Sequence, residues 1–265
     1  MKERIITGIC LLAISLPLIY QGGYWFGGLI LITTGIATWE MIAMHDKDKK
    51  IPFWIKGVTF IGTLLVAFMP TSRGSALYDA QFVSISFGGV LLVLNAVRVK
   101  KDRADISLYP LIIFYIGYGF RALLYIREHS LMLFIFLVIT VITTDSMAYF
   151  TGRFFGKHQL APKISPKKTI EGAIGGWSAG VLFAIGFGLM THLFTQMWVL
   201  IVLAVCLPIL SQIGDLVASA LKRNYDIKDF SNIFPGHGGV MDRVDSQMLA
   251  GILLYVMILL GGLGG

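Results

Sequence analysis

The segment from Ser219 to Ser246 gathers Lys222, Arg223, Lys228, Asp229, His237, Asp242, Arg243 and Asp245 around three glycines, Gly236, Gly238 and Gly239. These are the parts needed to handle phosphate groups with a metal. Carboxylates hold the cation, Lys and Arg meet the anion, and glycine lets backbone amides approach it closely. Asp242 and Asp245 are three residues apart, so on the first turn of a helix they share one face, and the dipole of that helix start favours an anion. Taken singly the pieces have plainer readings. A Pro-Gly cluster marks a turn, His237 alone is a polar loop residue, and paired acids at a helix start complement the dipole. Their joint presence just after Asp215 is what points to a site.

Asp215, in LSQIGDLVASALKR, and Asp145, in ITTDSMAYF, both interrupt apolar runs. A carboxylate held within a membrane costs about 2.5–3.5 kcal/mol on insertion scales, so each should face the protein interior and have a partner. That partner is either a cation serving assembly alone or a functional site. Ser211, Asp215, Ser219 and Lys222 follow one another at helical steps and form one polar stripe. Serines bonding between helices would give the same stripe. A second polar stretch carries Arg153, Lys157, Lys163, Lys167 and Lys168, with Ser165, Thr169 and Glu171 among them. As charge alone it reads as a basic patch facing lipid headgroups. It also follows Asp145 directly and ends at a glycine-rich helix start.

The elements that must position these residues are set by composition. The chain is 56% hydrophobic and 14% charged, with mean hydropathy +0.76, which excludes an ordinary soluble domain. Apolar runs recur at Ile5–Tyr20, Tyr24–Ala43, Phe53–Met69, Phe82–Val97, Leu108–Ile126, Leu131–Phe150, Gly172–Phe194, Met197–Ala218 and Met248–Leu263. Each is near the roughly 20 residues that cross a bilayer. The expected fold class is therefore all-α, a polytopic transmembrane helical bundle of about nine spans. The opening run follows Lys2 and Arg4 as a secretory signal would, but no small-residue cleavage pattern follows, so it reads as a retained span.

Alternating loops place Lys2, Arg4, Lys47, Lys49, Lys50, Lys56, Arg98, Lys100, Lys101, Arg103 and both polar segments on one side. The other side receives Arg73, Arg121 and Arg127 and the terminal Gly261–Gly265. Positive residues stay inside, which puts the N-terminus in the cytoplasm. Topology and the lipid bilayer thus account for the net charge of +7 without a nucleic-acid partner. Cys10 and Cys206 fall in apolar runs and offer neither a disulfide framework nor a thiolate metal site.

Polarity is spread unevenly along the chain. Residues 1–130 read as an N-terminal transmembrane scaffold, whose spans hold little beyond Glu40, Asn95 and Arg121. Residues 131–265 read as the catalytic region, with cytoplasmic loops 151–171 and 219–246, the whole forming one membrane unit. No repeat relates the halves, unlike transporters built from inverted repeats.

The run Ser219, Leu221, Lys222, Arg223, Lys228, Asp229, Ser231, Phe234, Pro235, His237, Gly238, Gly239, Val240, Asp242, Arg243, Val244 and Asp245 resembles the signature of the phosphatidate cytidylyltransferases, also called CDP-diacylglycerol synthases. The stretch in which Asp145 precedes Gly152-Arg153, SPKKT from Ser165 to Thr169 and Glu171-Gly172 is similar to that family's other polar region. Motifs this long and chemically mixed do not recur by chance. The resemblance implies a bacterial inner-membrane enzyme, its site facing the cytoplasm, that makes CDP-diacylglycerol and pyrophosphate from CTP and phosphatidic acid with Mg²⁺. It also implies a homodimer.

On that resemblance Asp215 and Asp242 are the leading Mg²⁺ ligands, with Asp145 and Asp245 next, and a second cation fits the two-metal logic of phosphoryl transfer. Lys222, Arg223, Lys228 and Arg243 are expected on the triphosphate and the phosphatidate, helped by Lys167 and Lys168. Gly236, Gly238 and Gly239 are expected to cradle phosphate, and His237 to donate to a phosphate or to the leaving pyrophosphate. Other membrane CTP-dependent transferases, such as a polyprenol kinase or a different lipid cytidylyltransferase, share this logic. A transporter of a phosphorylated solute is the alternative from another class. It calls for polar residues through the whole membrane depth. A CDP-alcohol phosphotransferase is disfavoured, because its DGxxAR pattern is absent after Asp242.

Overall fold

A computed structural model describes residues 2–46, 52–68 and 108–260. The expected span Phe82–Val97, the basic residues Lys47, Lys49, Lys50, Arg98, Lys100, Lys101 and Arg103, Arg73, and Gly261–Gly265 lie outside the described residues. The described elements run α1 (Lys2–Gln21), α2 (Gly23–Asp46), α3 (Phe53–Phe68), α4 (Leu108–His129), α5 (Leu131–Phe155), β1 (Gln159–Ala161), β2 (Ser165–Thr169), α6 (Ile170–Thr191), α7 (Met197–Asn224) and α8 (Met241–Leu259).

Among the described residues five helices are long and apolar enough to cross a membrane: Gly23–Asp46, Tyr109–His129, Leu131–Phe155, Ile170–Thr191 and Met197–Asn224. Ile5–Gln21 and Phe53–Phe68 are apolar but shorter. The architecture is that of a helical membrane protein. Among the described residues it departs from the all-α expectation in one place: β1 and β2 pair antiparallel, Gln159 opposite Thr169 and Ala161 opposite Ser165. The departure has a local cause, described with the site.

Helix ends follow from side-chain chemistry. Gly22, at φ 68°, separates α1 from α2. Ser130 caps α5, its Oγ accepting from Leu133 N at 3.4 Å, and Thr169 caps α6, its Oγ1 accepting from Gly172 N at 3.1 Å. His192, in the left-handed region at φ 50°, ends α6.

The chain forms two compact units. The unit spanning Gly28–Arg121 buries its polar side chains on its own backbone. Thr34, Thr38, Thr59 and Thr63 each donate to the carbonyl four residues earlier at 2.6–2.8 Å. Lys56 pairs with Asp46 at 2.5 Å, and Arg121 donates to the Val66 carbonyl at 3.2 Å. Of the polar residues that stood out in this region, Glu40 and Arg121 are both buried, and Asn95 lies outside the described residues.

The other unit, Met1–Gly27 with Ala122–Gly265, holds both polar segments. Its packing is set by small residues. Gly172, Gly176, Gly180, Ala184 and Gly188 recur at steps of four along α6 and are all buried. A Cβ at Gly176 would come within 2.6 Å of the Thr144 carbonyl and of the Ala148 Cβ, so α5 and α6 touch backbone to backbone. Trp177 Nε1 donates to the Val205 carbonyl at 3.2 Å and Gln212 Nε2 to the Ala173 carbonyl at 3.2 Å, fixing α7 against α6. At Gly214 of α7, a Cβ would meet the Asp245 carbonyl at 2.5 Å. That bare position is what lets the first turn of α8 settle beside Asp215.

Candidate active site

The site begins at the polar end of α5, which continues to Phe155 rather than stopping near Phe150. Asp145, Ala148, Tyr149, Gly152 and Arg153 consequently lie on one helical face and line a cavity of about 300 Å³. Leu160, Lys167, Lys168 and Thr169 from the ribbon line it too, as do Gly172 and Ala173 of α6 and Gln212 and Asp215 of α7.

Glu171 explains why a stretch that reads as a loop forms a ribbon. Its Oε2 accepts from the Lys157 and His158 amides at 3.0 and 3.2 Å, while Oε1 meets His158 Nδ1 at 2.6 Å. The chain leaving α5 is thereby folded back onto the start of α6, and β1 falls beside β2. Arg223 braces the far end, its Nε donating to the Ile164 carbonyl in the ribbon turn at 3.3 Å and its Nη1 to the Ile227 carbonyl at 3.0 Å. Arg223 thus works here as a strut between the two polar segments.

Two lysines enter the acidic cluster. Lys168 Nζ sits 2.6 Å from Asp215 Oδ2, and Ser219, one turn further along α7, donates to Asp215 Oδ1 at 3.2 Å. Lys222 Nζ reaches Asp242 Oδ1 at 2.6 Å, with side chains only 12% and 4% exposed, and rests over the Phe230 ring at 5.1 Å. The stripe read from the sequence along α7 is therefore a real face, joining the ribbon at one end to α8 at the other.

Asp242 organises the glycine loop. Its Oδ2 accepts from Phe230 N and Gly239 N, each at 2.9 Å. Phe234 to His237 form a tight turn, with His237 N donating to the Phe234 carbonyl at 2.8 Å and Gly236 at φ 74°. Gly238, at φ 81°, donates to the same carbonyl at 3.1 Å, and a Cβ there would lie 2.7 Å from Asp242 Oδ2. The glycines thus supply a turn wrapped on Asp242. Gly238 and Gly239 spend their amide hydrogens inside it, where the sequence suggested donors open to an anion.

Asp245 is buried, and its Oδ1 accepts from Ser246 N at 2.8 Å. Ser246 also hydrogen-bonds the Asp145 side chain, so one hydroxyl joins α5 to α8. Asp215 lies within electrostatic reach of both Asp145 and Asp245, and Asp245 within reach of Asp242 and Lys222. The four acids singled out in the sequence are therefore neighbours. Lys228 and Arg243 are exposed on the rim. His237 is turned elsewhere: its ring packs on α1, where a Cβ at Gly8 would lie 3.5 Å from Nε2, and its Nδ1 is buried without a hydrogen-bond partner.

Ser246, Gln212 and Tyr149 belong to the site and were not picked out from the sequence. Gln212 precedes Asp215 by three residues and Tyr149 follows Asp145 by four, so helical spacing from each acid would have found both. Ser246 carried no such signal, since only the packing of α8 on α5 makes it a bridge.

Among the described residues no group of three or more His, Cys, Asp or Glu side chains is placed to hold a metal ion, so a hard divalent cation bound here would keep waters and take few carboxylates. Four carboxylates stand against two lysines in direct contact, Lys168 and Lys222, and this leaves room for two further positive charges.

A model of the cytidylyltransferase family matches residues 2–260. Over 98% of its length the chain is similar to proteins named phosphatidate cytidylyltransferase: 33% identical to one from Staphylococcus saprophyticus, covering 99% of that protein, and 34% identical to one from Bacillus subtilis, covering 98% of it. One from Staphylococcus aureus is 32% identical, with 99% of its length covered. With a family model spanning almost every residue and relatives matched end to end, the chain belongs to the cytidylyltransferase family.

Proposed function

We propose that this protein is a phosphatidate cytidylyltransferase, which transfers CMP from CTP to phosphatidic acid and releases pyrophosphate. The observation that carries the reading is the meeting of Asp145, Asp215, Asp242 and Asp245, from three different helices, with Lys168 and Lys222 at the polar ends of apolar helices. The names of the matched relatives supply the substrates.

A phosphate monoester has a second pKa near 6, so the attacking phosphatidate oxygen is ionised at neutral pH and needs no strong base. The obstacle is repulsion between two polyanions, which positioning and positive charge must overcome. Asp215, Asp145 and Asp245 are the carboxylates that would hold Mg²⁺, with Asp242 completing the set if Lys222 releases it. One such ion, or two, held by these residues would supply positive charge against the phosphate groups. Lys222, Lys228 and Arg243 bring the triphosphate toward the acids, and Arg223 braces the ribbon beside them. Lys167 and Lys168 bring positive charge to the phosphatidate from the ribbon, and His237 keeps the glycine turn against α1.

The same reading takes the chain as a bacterial inner-membrane protein of about nine spans, with its N-terminus and active site in the cytoplasm. Residues 1–130 act as scaffold and 131–265 as the catalytic region, and the protein acts as a homodimer. Loop-by-loop cysteine accessibility tests the topology, and light scattering of the detergent-solubilised protein tests the dimer. For the reaction itself, purified protein is given labelled CTP and phosphatidate with and without Mg²⁺. A Mg²⁺-dependent liponucleotide that disappears in Asp215→Asn is expected. Pyrophosphate release that ignores phosphatidate, or full turnover in Asp215→Asn, refutes the proposal.

A further inference from the structure

The geometry points to the cavity between α5, the ribbon, α6 and α7 as the seat of the lipid's phosphomonoester head, separate from the Lys222–Arg243 side, which is left to the nucleotide. The inference deepens the proposed reaction by dividing its substrates between two subsites. It rests first on which side of the cavity meets lipid. Tyr149 and Leu160 line the cavity and are 59% and 36% exposed. Phe150, Phe154 and Phe155 stand exposed on the same end of α5. Exposed aromatics at the polar end of a membrane helix mark the bilayer interface. A cavity whose wall is continuous with such a surface admits a headgroup whose acyl chains remain in the bilayer.

Charge and shape agree with this. Arg153 and Lys167 bring two cations to the lining, beside Asp145 and the Lys168–Asp215 pair at 2.6 Å. A dianionic head would meet Arg153 and Lys167, close to the carboxylates where reaction occurs. Arg153 Nη1 donates to the Tyr149 hydroxyl at 3.0 Å, which holds the guanidinium fork toward the cavity, and a planar fork matches phosphate oxygens in pairs. A volume of about 300 Å³ is at the lower end for a ligand site. It suits a glycerophosphate head better than a nucleoside triphosphate. Lys222, Lys228 and Arg243 lie outside the lining, so they remain for the second substrate.

The test measures each ligand without the other, so it does not depend on turnover. Binding of labelled phosphatidate in phosphatidylcholine nanodiscs and of labelled CTP is compared for the unmodified chain, Arg153→Gln and Lys167→Gln. Both side chains are exposed, and an unchanged thermal transition confirms folding. Phosphatidate affinity should fall about tenfold or more in each variant while CTP affinity stays within twofold, and Arg153→Lys should recover only part of the loss. Glycerol 3-phosphate, which carries the same phosphate without acyl chains, should not displace phosphatidate at equal concentration. Equal losses for CTP, unchanged phosphatidate binding, or displacement by glycerol 3-phosphate at equal concentration each overturns the inference. If this binding pattern holds but no liponucleotide is formed, the proposed reaction fails and the subsite stands.

Discussion

Asp242 is where two roles make opposite predictions. As an organiser of the glycine turn it accepts two amides, Phe230 N and Gly239 N, and pairs with Lys222. Its side chain is 4% exposed and that of Lys222 12%. Asp242→Ala strands both amides, at about 1–3 kcal/mol each, and leaves a nearly buried ammonium unpaired, a change that alone costs about 3–5 kcal/mol. These terms overlap, because one side chain answers all three groups, so a loss on the order of 5 kcal/mol is expected. At roughly 2–4 °C per kcal/mol for a chain of this size, the thermal transition of the detergent-solubilised protein should fall by about 10–20 °C. Adding Lys222→Met to Asp242→Asn removes the stranded cation and should restore about 1–3 kcal/mol relative to Asp242→Asn alone. Both effects should persist in EDTA, since they come from bonds within the protein. A transition that moves by less than about 2 °C in EDTA and drops only with Mg²⁺ would refute the organiser role and return Asp242 to a purely metal-binding one.

Other substitutions test the remaining joints. Gly214→Ala places a methyl 2.5 Å from the Asp245 carbonyl. Overpacking of about 1–3 kcal/mol should push α8 from α7 and cut turnover at least tenfold with helical circular dichroism intact. Ser246→Ala removes the hydroxyl between Asp145 and Asp245 at about 0.5–1.5 kcal/mol, and should lower kcat while leaving KM for CTP unchanged. Glu171→Ala frees the Lys157 and His158 amides and should hasten tryptic cleavage after Lys157 and Lys163, whereas Glu171→Gln, which keeps an acceptor, should be cut at nearly the normal rate.

Where helical period governs, the sequence was enough. Ser211, Asp215, Ser219 and Lys222 share a face because 3.6 residues make a turn, whatever surrounds them. The ribbon could not be read the same way. SPKKT has a proline and two lysines, poor strand formers, and its pairing is imposed from outside by Glu171 accepting two amides. The extension of α5 to Phe155 was hidden for a related reason. Gly152 and Arg153 look like a loop, yet the helix persists because Gly152 packs where a Cβ would meet Thr169 Oγ1 at 2.9 Å. Composition identified Asp242 as chemically capable but could not say which groups its two oxygens would meet.

Asp145 and Asp215 come from α5 and α7, while Asp242 and Asp245 share the first turn of α8. Each of these has its own partner once the elements pack: Ser246 for Asp145, Lys168 and Ser219 for Asp215, Lys222 and two amides for Asp242. Bringing them together then falls to the packing, which explains why the positions that tolerate no side chain lie beside the acids. Gly176 meets the Thr144 carbonyl, next to Asp145, and Gly214 precedes Asp215 and meets the Asp245 carbonyl. Backbone against backbone is the stiffest contact available between helices, so the spacing between carboxylates is fixed by the membrane bundle and not by the loops. The exposed cations Lys167, Lys228 and Arg243 stand on the ribbon, on the loop after α7 and on the first turn of α8. A ligand can be gathered by exposed positive charge and still meet a rigid acidic centre.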